Sequence, residues 1–126
     1  MTPVEEQFKD LKEGHQDSKC DPVGDGSFIV TVPNLPIHDG WSAKSATVRF
    51  HVPVQFPTAR PDCFWVDHSL TLADGRAPQN TGVNAIPGGS PVPLRWYSWH
   101  VTHWSPNADT LTTYLNVIRK RFADPR

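Results

Sequence analysis

The stretch Arg95–Pro106, RWYSWHVTHWSP, says most about the fold of this chain. It holds three of the five tryptophans, two of the six histidines and two serines, and a strong helix pattern follows it directly. Ser105 is a residue type favoured as an N-cap, Pro106 suits the first helical position, and Asp109 suits the first turn. We therefore predict that a helix runs from about residue 106 to 123.

Apolar residues recur within that helix at i, i+4, i+7 and i+11, at Leu111, Leu115, Ile118 and Phe122. This spacing places them on one face, with Tyr114 beside them. We expect that face to pack on a sheet.

A second helix is predicted near the start of the chain, over residues 3 to 14. Thr2 and Pro3 suit its N-terminus, and Val4, Phe8 and Leu11 fall on one stripe among charged residues. The other face is polar and predicted to be exposed; it includes Glu5, Glu6, Lys9, Lys12 and Glu13.

The middle of the chain predicts an antiparallel meander of three or four strands. The strand patterns are Phe28–Val32, Ala46–Val52 (which alternates apolar and polar residues), Cys63–Val66 and a short one at Ser69–Leu72. Thirteen prolines, most of them between residues 33 and 106, favour short strands and fixed loops over a helical bundle. Residues 73–93 show no sustained period and predict a long irregular segment of the kind that is often functional.

Composition excludes several classes of protein. A length of 126 residues predicts a single domain spanning 1–126. The net charge of −1, without blocks of like charge, gives no basis for binding nucleic acid, and no apolar run suits a membrane. The acidic N-terminus does not resemble a signal peptide, so we expect a cytoplasmic protein whose Cys20 and Cys63 are reduced thiols.

The order of these elements resembles the core of ubiquitin-conjugating enzymes, the UBC fold, and in particular its prokaryotic branch. Phe56–Pro61, FPTARP, resembles the family's Tyr-Pro-x-x-Pro-Pro segment, with Phe64 following as an aromatic residue of the next strand. Trp104-Ser105-Pro106 matches the Trp-Ser-Pro at the start of the family's second helix. The resemblance implies an α+β fold: an N-terminal helix, an antiparallel β-meander, an irregular active-site segment and a C-terminal helix packed on the sheet.

Two features of that family are absent from this sequence. There is no His-Pro-Asn tripeptide, and Leu94–Trp96, where the resemblance places the catalytic cysteine, contains no cysteine. Ser98 is the nearest plausible nucleophile, and on an extended segment it would share a face with His100. An imidazole can supply the base that a hydroxyl nucleophile needs. We therefore predict that Ser98 is the nucleophile and His100 the base, with His103 assisting an oxyanion or capping the aromatic cluster.

The remaining candidates carry less specific patterns. Trp96, Trp99 and Trp104 are candidate substrate-binding residues, although the sequence favours a core role for them over a binding surface. Cys63 is expected in the core, and Asp62 and Asp67 are expected at turns or edges. Either asparagine of the long segment, Asn80 or Asn84, could replace the missing family asparagine. His100 and His103 alone are too few ligands for zinc, so no metal and no cofactor is expected.

The resemblance implies a carrier that accepts the C-terminus of a ubiquitin-like protein from an activating enzyme, here as a serine oxyester, and transfers it to an amine. The alternative is a non-catalytic scaffold of the same fold that binds a ubiquitin-like protein. The absence of the family cysteine and asparagine favours the scaffold, whereas the Ser98–His100 pairing favours the carrier. A small hydrolase is a third alternative, but the sequence lacks a Gly-x-Ser-x-Gly elbow.

Overall fold

A computed structural model describes residues 2–126 as an α+β fold of two helices and one sheet. The helices are α1, Pro3–Gly14, and α2, Leu111–Phe122. The strands are β1, Lys19–Pro22; β2, Phe28–Pro36; β3, Ser45–Val52; β4, Phe64–Val66; β5, Thr81–Asn84; and β6, Leu94–Tyr97. All neighbouring strands pair antiparallel, in the order β1-β2-β3-β4-β6-β5. Neither helix is long and apolar enough to cross a membrane.

The N-terminal helix forms as its sequence predicts. Thr2 caps it: its hydroxyl accepts from the N–H of Glu5 at 3.1 Å, and the Glu5 carboxylate accepts from the N–H of Thr2 at 3.3 Å. Val4 and Leu11 are buried, while the charged residues of the opposite face are exposed.

The C-terminal helix has the predicted apolar face but a different start. Leu111, Leu115, Ile118 and Phe122 are all buried, and so is Tyr114. The prediction that Ser105 caps the helix is wrong, because α2 begins at Leu111 with Thr110 as its N-cap.

The reason for the later start is a closed turn from Ser105 to Asp109. The carbonyl of Ser105 accepts from the N–H groups of Ala108 and Asp109 at 3.0 and 2.8 Å, and the Asp109 carboxylate accepts from the N–H of Ser105 at 2.6 Å. Thr110 is then extended, with φ −134° and ψ 178°, and its hydroxyl accepts from the N–H of Thr113 at 3.3 Å.

The sheet is larger than the predicted meander. β2, β3 and β4 lie close to where the sequence places them, and Ala46, Val48, Phe50 and Val52 are buried as their alternation predicts. The predicted strand at 69–72 does not form; Leu72 makes only an isolated bridge with Trp41. Three short strands that were not predicted extend the sheet, namely β1, β5 and β6.

The main core lies between one face of the sheet and both helices. Val30, Phe50 and Tyr97 from the sheet meet Leu11 and Leu115 from the helices there. A smaller cluster lies on the other face, which we call the outer face; it consists of Ile29, Trp65, Ile86 and Leu94. Cys63 and Trp96 pack against this outer cluster, so both belong to the outer face.

Candidate functional site

The candidate site is built where strands β4 and β6 stop pairing regularly. Their last paired residues are Phe64 and Tyr97. Beyond them the N–H of Cys63 donates to the carbonyl of Trp99 at 3.2 Å, so Ser98 and Trp99 both lie opposite Cys63. On the other side of β6, the N–H of Ser98 donates to the carbonyl of Asn80 at 2.9 Å. The backbone thus sets Asn80, Ser98 and Cys63 side by side across three neighbouring segments.

The backbone at this point is strained on both sides of Ser98. Cys63 has φ +60° and Asn80 has φ +59°, in the left-handed region that asparagine tolerates far better than cysteine does. Surrounding contacts hold Cys63 in this conformation, because its carbonyl accepts from the hydroxyl of buried Tyr114 at 2.6 Å. Local strain of this kind concentrates at functional sites.

The side chains of Asp62, Cys63 and His100 meet at this place, and we call them the His100 cluster. Asp62 Oδ1 lies 2.6 Å from His100 Nδ1, and one donor atom from each of the three side chains lies within 4.8 Å of the other two. The Asp62 and His100 side chains are 49% and 55% exposed, so the cluster is open to solvent. Cys63 is half-buried.

Asp62 and Cys63 therefore differ from their sequence-based interpretation. Asp62 is not merely a turn residue, because it holds the imidazole of His100. Cys63 lies just before β4 rather than in the strand or the main core. Burial and the charge of Asp62 raise the pKa of the Cys63 thiol, while hydrogen bonds from the Trp96 side chain and the Trp99 backbone lower it by less.

Ser98 and His100 are two residues apart but are not hydrogen-bonded to each other among the described residues. Ser98 is half-buried and its N–H is held by Asn80, whereas His100 is exposed and is held by Asp62. The structure thus gives His100 a carboxylate partner that the sequence pattern did not predict. The Ser98 hydroxyl belongs to the segment that follows β6, and the Cys63 thiol belongs to the segment that precedes β4.

His103 lies in a different place from His100. It is exposed and lines a groove of about 500 Å³ whose other lining residues are Thr58, Arg60, Thr102, Trp104, Ser105 and Asp109. This groove joins the proline-spaced segment, which contains the cis peptide bond Phe56–Pro57, to the turn before α2.

The three tryptophans of the opening stretch occupy three different environments. Trp96 pairs with Trp65 and Gly82 in the sheet and packs on the outer cluster. Trp99 lies 5.4 Å from the guanidinium of Arg121, and the indole N–H of Trp104 donates to the carbonyl of Pro57 at 2.8 Å. These contacts favour structural roles for Trp99 and Trp104.

Arg121 explains how the segment after β6 is anchored to α2. Although it lies in the last turn of a helix, its side chain is buried, and its guanidinium lies 5.6, 5.4 and 5.4 Å from the ring centroids of Trp41, Tyr97 and Trp99. It also donates to the carbonyl of Gln79 at 3.1 Å, next to Asn80. One buried cation therefore contacts the aromatic rings of the residues before and after Ser98, and a backbone carbonyl next to Asn80.

Of the two asparagines of the long segment, only Asn80 lies beside Ser98. The side-chain oxygen of Asn84 accepts from the indole N–H of Trp65 at 2.7 Å, at the far end of β5. A separate cleft of about 380 Å³ on the outer face is lined by residues such as Ile29, Arg49 and Ile86 and includes no member of the His100 cluster. The reactive side chains therefore meet in the His100 cluster and not in this cleft.

Comparison with protein families places this chain in a known group. The chain matches the Prokaryotic E2 family E over residues 6–124, and it therefore belongs to that family. E2 is the usual designation of ubiquitin-conjugating enzymes, so the chain is a prokaryotic ubiquitin-conjugating-like protein with the corresponding α+β fold. Searches among curated proteins and among solved structures gave no match.

Proposed function

We propose that this protein is a carrier that accepts the C-terminus of a ubiquitin-like protein from an activating enzyme and passes it to an amine. The observation that supports this best is His100, an imidazole held by Asp62 near the thiol of Cys63 and two residues along the chain from Ser98. Membership of a prokaryotic E2 family supports the class of reaction. The exposed charged face of α1 is the surface proposed to meet the activating enzyme.

We assign the acceptor role to Ser98 and the role of base to His100. With Nδ1–H donating to Asp62, the lone pair on Nε2 is free to take a proton. The Ser98 hydroxyl oxygen attacks the activated C-terminal carbonyl, His100 takes the hydroxyl proton, and the activating group leaves, so that an oxyester forms. Attack by an amine then forms an amide and releases Ser98. Trp96 and His103 are assigned to contacts with the incoming tail.

Cys63 is a second candidate acceptor, favoured by the position of its sulfur within 4.8 Å of a His100 ring nitrogen. It would form a thioester instead. Its partial burial and the raised pKa of its thiol weigh against it, because the thiolate is the nucleophile.

The chemistry of the adduct separates the two acceptors. The purified protein is incubated with its activating enzyme, ATP and the ubiquitin-like protein, and the adduct is treated with thiol reductant or mild hydroxide. We expect an adduct that survives reductant, is cleaved by hydroxide, is lost in Ser98→Ala and persists in Cys63→Ser. In Ser98→Cys the adduct should become sensitive to reductant. An adduct that reductant cleaves and that only Cys63→Ser removes would move the acceptor to Cys63.

A non-catalytic scaffold is the second candidate function, and the sequence from β4 to the end of β6 favours it. That segment lacks both the His-Pro-Asn tripeptide and a cysteine at Leu94–Trp96. A scaffold would bind the ubiquitin-like protein reversibly, form no covalent adduct and retain its binding affinity in Ser98→Ala. Calorimetry of the wild type and this variant, beside the adduct assay, distinguishes it from a carrier.

A further inference from the structure

The three donor atoms of the His100 cluster converge as metal ligands do. A thiol sulfur, an imidazole nitrogen and a carboxylate oxygen lie within 4.8 Å of one another on Cys63, His100 and Asp62. His100 is 38 residues from Asp62, so strand pairing and not local sequence brings the set together. We propose that these three side chains bind one divalent transition-metal ion of the zinc class.

The chemistry of the donors selects the kind of ion. Mg²⁺ and Ca²⁺ take oxygen ligands, whereas a set with one sulfur, one nitrogen and one oxygen suits borderline ions such as Zn²⁺ and Co²⁺. Only a thiolate coordinates, so binding releases the Cys63 proton to solvent.

The donor atoms of the three side chains need to move only a short distance to reach the spacing of metal ligands. Metal–ligand bonds of about 2.0–2.3 Å in a tetrahedral site separate the donor atoms by about 3.5 Å. Asp62 and His100 are about half exposed, so both side chains can turn towards a shared ion. Cys63 is the fixed member, because Trp99 and Tyr114 hold its N–H and its carbonyl.

Three protein ligands leave one position of a tetrahedral ion open. Because the cluster faces solvent, that position would hold water or an external ligand, as in catalytic rather than structural zinc sites. The proposed site does not depend on the carrier function, because binding of an ion requires neither a ubiquitin-like protein nor an activating enzyme. An ion there would, however, occupy His100 and Cys63 together.

Cobalt provides the direct test, because a thiolate bound to Co²⁺ gives a sulfur-to-metal charge-transfer absorption. Reduced wild-type protein is titrated with Co²⁺ and then with Zn²⁺. We expect one equivalent of Co²⁺ to produce the band and Zn²⁺ to displace it. Cys63→Ser should lose the band, and His100→Ala should raise the dissociation constant for Zn²⁺ by about 10-fold or more. The matched controls, Cys20→Ser and His103→Ala, should behave as the wild type does.

Thermal melts with and without Zn²⁺ show whether each variant is folded, because a ligand that binds only the native state raises Tm. Wild type and Cys20→Ser should gain Tm with Zn²⁺, whereas Cys63→Ser should melt cooperatively and gain none. The proposal is overturned if the wild type shows no sulfur–cobalt band. It is also overturned if the band persists in Cys63→Ser or is lost in Cys20→Ser.

Discussion

Asp62 holds His100 across the junction of β4 and β6, with Oδ1 of the carboxylate 2.6 Å from Nδ1 of the imidazole. A carboxylate in this position fixes the orientation of a histidine and leaves its other nitrogen available as a base. The pair therefore gives the proposed carrier a positioned base, even though the family's His-Pro-Asn tripeptide is absent.

Removing the base should slow adduct formation more than removing the residue that positions it. His100→Ala is expected to reduce the rate of loading by about 10²–10⁴-fold, the usual contribution of a general base. Asp62→Asn should reduce the rate by less, because the imidazole remains. Asp67→Asn is the matched control, because Asp67 pairs with Arg49 at 3.5 Å and is not part of the His100 cluster. This substitution should leave the rate of loading unchanged. A rate unaffected by His100→Ala would exclude His100 as the base.

Leu115 tests the packing of α2 on the sheet. Its side chain is fully buried in the main core, so Leu115→Ala should lower the free energy of unfolding by about 2–5 kcal/mol. Asn116→Ala, at the exposed neighbouring position, should change it by less than about 0.5 kcal/mol. Urea unfolding of both variants measures the difference, and a similar small effect for both would mean that the buried face is wrongly assigned.

The start of α2 can be tested at its two candidate caps. Thr110 accepts from the N–H of Thr113, so Thr110→Ala should cost about 1 kcal/mol of stability. Ser105 contributes backbone groups to the preceding turn and its side chain is exposed, so Ser105→Ala should cost much less. The opposite order of the two effects in denaturant melts would restore the cap predicted from the sequence.

The helices α1 and α2 show which features of the fold the sequence can predict and which it cannot. The stripes of both helices and the alternation of β3 are local patterns, and each corresponds to a buried face in the structure. The predicted start of α2 was wrong because Ser105-Pro106 can equally well begin a short turn. The Asp109 side chain closes that turn.

The strands β1, β5 and β6 were missed because they carry little pattern of their own. β5 is four residues long, has Gly82 in it and is not buried, so neither alternation nor β-branched residues identify it. β6 lies within the aromatic stretch, where large side chains occur at successive positions.

The candidate site could be predicted only in part, because it depends on the pairing of β6, a strand that the sequence pattern does not identify. Ser98 and His100 were found from their closeness in sequence, but the partners of His100 depend on the pairing of β4 with β6. No local signal connects Asp62 and Cys63 to His100. Once the pairing of Phe64 with Tyr97 is known, their proximity follows from the residues that come next in each strand.

The two thiols should be slow to react at neutral pH. Burial raises the pKa of Cys20 to about 11, and burial together with Asp62 raises that of Cys63. Because only the thiolate reacts, Cys20 at pH 8 should be alkylated about 10²-fold more slowly than a free thiol. Rates should increase about tenfold per pH unit below each pKa.

Single-thiol variants assign these rates, since Cys63→Ser leaves only Cys20 and Cys20→Ser leaves only Cys63. Alkylation with iodoacetamide is followed by mass spectrometry from pH 7 to 10. If Cys63 reacted faster than a free thiol at pH 7, its thiolate would be stabilised rather than disfavoured, and Cys63 would become the preferred acceptor.

Zinc should inhibit loading of the wild type if both proposals hold, because an ion on His100 removes the lone pair that takes the Ser98 proton. The comparison requires a variant that loses the metal site but keeps the proposed acceptor and base. Cys63→Ser is that variant, since it retains Ser98, His100 and Asp62. We expect Zn²⁺ to slow adduct formation by the wild type and to leave the rate of Cys63→Ser unchanged.

The same activating enzyme and the same Zn²⁺ concentration are used in both reactions, so an effect of zinc on that enzyme would slow both equally. Equal inhibition would therefore contradict an effect through the His100 cluster. If the wild type loads at its full rate while saturated with Zn²⁺, as followed by the displaced cobalt band, His100 is not the base, although the metal site remains. If Cys63→Ser forms no adduct at all, with or without zinc, the thiol and not the hydroxyl accepts the ubiquitin-like protein.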